Sequence, residues 1–263
     1  MIALSALAAA ASPSFPPGEP ARGEQIAGLA GCASCHTVDG GAPYAGGYAV
    51  ETDFGTFYGS NLTPDPVHGL GAWTGEAFAD ALRRGRRPGG GHYWAAFPYP
   101  SFTALTDGDV ADLWAFLRAL PPAAVADVPH DTPRTGVERW AWHAFFFSPR
   151  PWTPRTDPVV DRGAYLVEAV GHCPECHTPR TKLGRLRRSE GLSGSDQIPH
   201  GGPDLRPDTL RWSDADWETF LEMGMLPDGD FVGSGMYPVI EHGTSKLSPA
   251  DRAAMIRALQ LGP

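Results

Sequence analysis

Four cysteines stand in this chain, in two identical settings. Cys32 and Cys35 lie in "CASCH", and Cys173 and Cys176 lie in "CPECH", so each C-x-x-C pair is followed directly by a histidine, His36 or His177. This order of residue types matches covalent haem attachment. Two thiols two residues apart can add to the two vinyl groups along one porphyrin edge, and the adjacent imidazole then reaches the iron as proximal ligand. A four-cysteine zinc site also uses paired C-x-x-C, but it does not require histidine after both pairs. A redox dithiol needs a βαβ context that is absent here. Haem accounts for every cysteine and leaves none for a disulfide. The expectation is two covalently attached haem c groups, haem 1 on Cys32, Cys35 and His36, and haem 2 on Cys173, Cys176 and His177.

The elements that must hold these residues recur along the chain. "ARGEQIAGLAG" precedes the first motif and "DRGAYLVEAVGH" the second, each an Arg-Gly-led helical pattern. Downstream, "WTGEAFADALRRGRRPGG" from Trp73 matches "WSDADWETFLEMGMLPDG" from Trp212 at an offset of 139, and Gly85, Pro88 and Gly90 fall on Gly224, Pro227 and Gly229. Thr or Ser after the tryptophan, followed by acidic residues, reads as a helix N-cap. Each half closes with another capped helix, from Leu105 and from Leu247. The spacing therefore predicts an all-α fold of two tandem haem domains, residues 18–120 and 158–263. A Pro- and aromatic-rich connector over 121–157, carrying Trp140, Trp142, Phe145, Phe146 and Phe147, is expected to pack on the domains, with a hydrophobic docking surface as the alternative.

The repeat exposes one difference. A haem of this type usually takes a methionine sulfur as sixth ligand from the loop before the last helix. In the second half Met236 stands there, 24 residues after Trp212; in the first half the same count from Trp73 reaches Phe97, which has no donor atom. No methionine lies between Met1 and Met223, and residues 18–120 contain no lysine. Haem 2 is expected to be His177/Met236, and haem 1 cannot be His/Met from its own domain. Three arrangements remain for haem 1: coordination by His92 from the same loop, a five-coordinate or water-bound iron, or another donor.

Composition narrows the function. The 263 residues carry 32 Gly, 27 Pro and a net charge of −9, with −5 over 18–120, 0 over 121–157 and −4 over 158–263. No large basic tract exists to neutralise phosphates, so nucleic-acid binding is not expected. The run Arg83-Arg84-Gly85-Arg86-Arg87 reads first as a solvated helix end and second as a docking patch for an acidic partner. The opening "MIALSALAAAASPSF" has the apolar core and Ala-rich end of an export signal without its basic start, so residues 1–17 read as a signal or flexible N-terminus, with about the first twelve removed. A periplasmic protein, soluble or peripherally membrane-associated, is the expectation.

The chain resembles the cytochrome c subunits of bacterial membrane-associated alcohol and aldehyde dehydrogenases. The segments that carry the resemblance are "GGAPYAGGYAVETDFGTFYGSNLTPDPVHGLGAWTGEAF", "AAFPYPSFTALTDGDVADLWAFL", "RGAYLVEAVGHCPECHTPRTKLG" and "DGDFVGSGMYPVI". In that family the first loop carries an axial methionine before Pro-Tyr-Pro-Ser; here Pro98, Tyr99, Pro100 and Ser101 remain and Phe97 stands at the methionine. Members often have three haem motifs, against two here. The resemblance implies electron acceptance from a dehydrogenase catalytic subunit and delivery toward a quinone- or oxidase-linked acceptor.

His68, His130, His143, His200 and His242 read as ordinary polar surface or loop residues. His172 is expected near the haem, following the family's "GHC". Trp73, Tyr99 and Trp212 suit either propionate hydrogen bonding or core packing. The main reading is a non-catalytic electron-transfer protein. The alternative is a haem enzyme or gas-binding protein, peroxidase-like, with an open iron at haem 1 and His92 as base.

Overall fold

In the computed structural model, which describes residues 15–196, 201–233 and 235–262, the two halves follow one plan. The first contains α1 (Pro20–Leu29), α2 (Cys32–His36), a hairpin of β1 (Ala49–Thr52) and β2 (Gly55–Tyr58), α3 (Gly75–Arg84), α4 (Tyr99–Phe102) and α5 (Asp107–Ala119). The connector holds α6 (Gly136–Phe146). The second half contains α7 (Pro158–Tyr165), which runs into a π-helical turn at Leu166–Val170, then α8 (Pro174–His177), α9 (Asp214–Met223), α10 (Tyr237–His242) and α11 (Pro249–Leu261).

The helix ends follow from the cap residues. Thr74 and Thr106 accept hydrogen bonds from Ala77 N and Asp109 N at the starts of α3 and α5, and Ser213 and Ser248 do the same for α9 and α11. α3 and α9 stop at Gly85 (φ 62°) and Gly224 (φ 77°), left-handed positions that glycine adopts without strain.

In each half the first and last helices cross at a glycine. A methyl at Gly23 would overlap the Asp112 carbonyl of α5, and one at Gly163 would overlap the Ala254 carbonyl of α11. The same crossing is pinned by an ion pair. Arg22 donates to Asp112 at 2.7 Å, and Arg162 reaches both oxygens of Asp251 at 2.7 and 2.9 Å. The "RG" pair of the sequence repeat is thus a packing device.

Two features lie outside the repeat pattern read from the sequence. The β1–β2 hairpin is antiparallel with Ala49 opposite Tyr58 and Thr52 opposite Gly55, a small β element in an otherwise helical fold. The π turn after α7 has a countable cause. Ten positions separate Arg22 from Cys32, but eleven separate Arg162 from Cys173. A π-helical turn absorbs one extra residue and keeps the phase of the downstream Cys-x-x-Cys-His turn.

The halves share one contiguous apolar core, to which Leu29, Phe102 and Leu113 of the first and Leu166, Val170 and Ile240 of the second contribute. The contacts between them are reciprocal. α1 approaches α10, where a methyl at Gly28 would overlap the His242 carbonyl. The π turn approaches α4, and the His172 ring meets Phe102 edge-on at 5.2 Å while hydrogen-bonding the Ala30 carbonyl at 3.1 Å. Tyr165 joins Asp109 and accepts from Thr106 N, and Ser101 donates to Glu175.

The connector touches both halves: near its end Trp152 Nε1 and Arg155 N donate to Asp161 of α7 at 3.0 and 2.7 Å, and its earlier part lies on the first half. Asn61 Nδ2 donates to the Ala123 and Val125 carbonyls at 2.8 and 2.9 Å, and Asp131 and Thr56 exchange backbone hydrogen bonds. α6 is anchored by a Thr135/Glu138 capping box.

Candidate functional site

Each C-x-x-C-H segment is a short helical turn, α2 or the Cys173–His177 turn containing α8, placed directly after the first helix of its half. Cys35 and Cys176 are exposed, and Cys32 and Cys173 half-buried. Burial pushes the free Cys32 and Cys173 thiols up to about 12, which disfavours a reactive redox thiolate at either position. Among the described residues no group of three or more His, Cys, Asp or Glu side chains converges as a metal site. The four-cysteine zinc alternative therefore has no geometry to support it.

The two histidines are held identically. His36 Nδ1 lies 2.7 Å from the Ser60 carbonyl, and His177 Nδ1 lies 2.8 Å from the Pro203 carbonyl. A carbonyl only accepts, so Nδ1 carries the proton and Nε2 keeps its lone pair for the iron. Burial lowers both imidazoles from their ordinary range and favours this neutral form. A glycine precedes each of these two acceptor residues. A β-carbon at Gly202 would stand 2.6 Å from the His177 ring, and one at Gly59 would overlap the Cys35 carbonyl. These residues fit a c-type haem in both halves: two sulfurs, one oriented imidazole and a cleared approach. Cys32, Cys35 and His36 would hold one group, and Cys173, Cys176 and His177 the other.

Sequence reasoning missed this cradle, although a signal exists. "GSNLTPD" at 59–65 and "GPDLRPD" at 202–208 share glycine, a polar third residue, Leu, Pro and Asp. In the second copy Asp204 takes a bifurcated grip from Arg206 (2.6–3.2 Å), which holds its carboxyl down to about 2. In the first, Asn61 accepts from Thr63 and fastens the connector.

The far loops differ. Met236 is the N-cap residue of α10, half-buried against the core. Phe97 is likewise half-buried, within an aromatic cluster of Tyr93, Tyr99 and Phe102 at 5.7–6.2 Å between ring centroids. His92 does not stand free. Its ring stacks on His143 of α6 at 3.5 Å, with Nδ1 buried and without a hydrogen-bond partner among the described residues. His143 in turn hydrogen-bonds the hydroxyl of fully buried Tyr99 at 3.1 Å. Burial, with His92 and Arg86 nearby, pushes His143 down to about 4. His143 is thus a packed residue and not the polar surface group expected. His130 is an exposed loop residue, as expected, whose Nδ1 accepts from Tyr58 N at 3.1 Å beside Phe57. His68 and His242 are exposed, and His200 lies outside the described residues. Trp212 packs on Trp217 and Phe220, and half-buried Trp73 lies against the core. The arginine run is largely paired: Arg83 with Asp107, and Arg84 and Arg86 both with Asp80.

This fold and this duplicated Cys-Cys-His arrangement are those of the cytochromes c. The cytochrome c family model matches residues 20–121. A di-haem c-type cytochrome of Cereibacter sphaeroides is 41% identical over 254 residues, covering 92% of this chain and 85% of that one. The chain belongs to the di-haem c-type cytochromes, and its chemistry is electron transfer through covalently bound haem c. It is also similar to two dehydrogenase subunits. The cytochrome c subunit of the quinone-dependent alcohol dehydrogenase of Gluconobacter oxydans is 38% identical over 261 residues, 92% of this chain and 54% of that subunit. The cytochrome c subunit of gluconate 2-dehydrogenase of Pantoea cypripedii is 37% identical, covering 91% and 58%. This chain spans little more than half the length of those two subunits.

Proposed function

We propose that the chain carries two haems, one per half, and passes electrons from a dehydrogenase catalytic subunit toward a quinone- or oxidase-linked acceptor in the periplasm. The observation that carries this reading is the duplicated cradle, with His36 on the Ser60 carbonyl and His177 on the Pro203 carbonyl. The dehydrogenase partner is supported by the likeness to the alcohol and gluconate dehydrogenase subunits. The periplasmic setting is supported by the c-type attachment motifs and the export-like first residues. Among the described residues no helix is long and apolar enough to cross a membrane.

Haem supplies the one-electron couple. The protein orients each proximal imidazole, excludes water, and sets the potential through the sixth ligand. Thioether ligation by Met236 favours reduced iron, and Phe97 offers no such donor. Haem 1 is then the lower-potential site and haem 2 the higher, and electrons run from haem 1 to haem 2. The peroxidase-like alternative would need an acid/base pair beside the open iron, whereas the Phe97 position is lined by aromatic rings.

Mass spectrometry of the denatured chain should find two haem additions, and potentiometric titration two separated midpoints. One haem, or a single shared midpoint, would contradict the proposal. His92→Ala sorts the arrangements at haem 1. A new high-spin, carbon-monoxide-binding haem identifies His92 as ligand. An unchanged spectrum means an open iron if the wild type already binds carbon monoxide at one haem, and another donor if it does not.

A further inference from the structure

The two loops that correspond across the repeat are dressed differently. The bridges Arg86–His92 and Met225–Phe231 are equivalent at the 139-residue offset, so His92 and Phe231 occupy the same place in their halves. In the first half that place is covered by α6, which lays His143 on the His92 ring and Arg139 over Trp94. In the second half no helix of this chain takes that role among the described residues, and Phe231 is 59% exposed. Met223 at 49% and Tyr237 at 46% complete an apolar surface. Backbone hydrogen bonds from Val232 N to Gly224 O and from Tyr237 N to Gly233 O tie the three segments together. Glu222, Asp228 and Asp230, all exposed, stand around it. Asp228 and Asp230 accept only from backbone amides among the described residues, so their charge faces solvent unpaired.

We propose that this acid-rimmed apolar face over the Met236 loop docks the electron acceptor, a protein with an apolar centre ringed by lysine or arginine. The inference rests on the electron-transfer reading above, with haem 2 as exit site. Charge complementarity decides the occupant. The carboxylates repel anionic lipid, and Arg83, Arg84 and Arg86 of the chain's own arginine run are already paired with Asp107 and Asp80, which disfavours a second copy. The cover over the equivalent place in the first half is itself aromatic and basic, through His143 and Arg139.

Stopped-flow oxidation of the reduced di-haem protein tests this, with a strongly basic cytochrome c and an acidic cytochrome c of similar potential as oxidants. At low ionic strength Asp228→Asn/Asp230→Asn should slow the reaction with the basic acceptor by about 5-fold or more, and added salt should erase the difference. Phe231→Ser should slow it at low and high salt alike. Neutralising exposed carboxylates elsewhere, as in Glu24→Gln/Asp39→Asn, should have little effect. An equal loss in that control, or none in the Asp228/Asp230 variant, overturns the proposal. So does a wild-type dimer in sedimentation velocity that Phe231→Ser dissolves, or binding to anionic vesicles that Phe231→Ser removes. If neither oxidant takes an electron from a protein shown to contain haem 2, the electron-transfer reading itself fails.

Discussion

Where the first half has Arg83, Arg84, Arg86 and Arg87, the second has Glu222, Met223, Met225 and Leu226, on backbones that bridge in the same way. The proximal sides show the opposite behaviour. There the residue types change from Ser60 to Pro203, yet the hydrogen bond to the histidine is kept within 0.1 Å. The proximal cradle is fixed because the iron chemistry needs one tautomer. The distal loops are free to diverge because they set potential and partner, the properties in which two haems of a relay should differ.

The most drastic way to separate the halves is to remove one attachment. Cys173→Ala should cost stable binding of one haem and leave the other, read as the loss of one haem mass from the denatured chain. Exchanging the distal residues is gentler and tells more. Met236→His should abolish the near-infrared charge-transfer band of ferric iron–methionine ligation. Phe97→Met should add a second such band, because Pro98, Tyr99 and Pro100 already frame a methionine loop. The lower midpoint should then rise by on the order of 100 mV. If that band survives Met236→His, the alignment of the halves is wrong.

Two smaller effects probe the scaffold. Gly23→Ala and Gly163→Ala each force a methyl into a backbone carbonyl, and should lower stability in urea titration by about 2–3 kcal/mol apiece. Asp204→Asn removes the carboxylate that Arg206 grips and should lower stability only slightly, given the solvent-screened arginine. Because the folded carboxyl is held near 2 against ~3.9 unfolded, its contribution is full above pH ~4. It disappears as the pH falls toward 2, so wild type and Asp204→Asn should converge there.

The capped helices and the attachment residues were legible because side chains encode them: Thr74, Thr106, Ser213 and Ser248 bond through their hydroxyls, and Cys and His have few other reasons to stand at that spacing. The proximal cradle was not, because its acceptors are backbone carbonyls that any residue supplies. Its visible trace is the glycine beside each. The β1–β2 hairpin was not legible either, because its strands are four residues each and β1, Ala-Val-Glu-Thr, alternates only exposed with half-buried positions and buries none. α6 was readable as aromatic but not as a cover, because its purpose depends on His92 and Tyr99, far away in sequence. The π turn could have been counted from the Arg–Cys spacing, but only with both copies in register.

The reciprocal contact of the halves has a historical meaning. α1 leans on α10 while the π turn leans on α4, so each half offers the other the same pair of surfaces. That is the geometry of an isologous pair, as a single-haem ancestor pairing with its own copy would form it. Fusion of two such genes would retain the twofold and bring the partners together at fixed stoichiometry. After that, the residue absorbed by the π turn, the exchange of methionine for Phe97 and the cover of α6 could arise on one side alone.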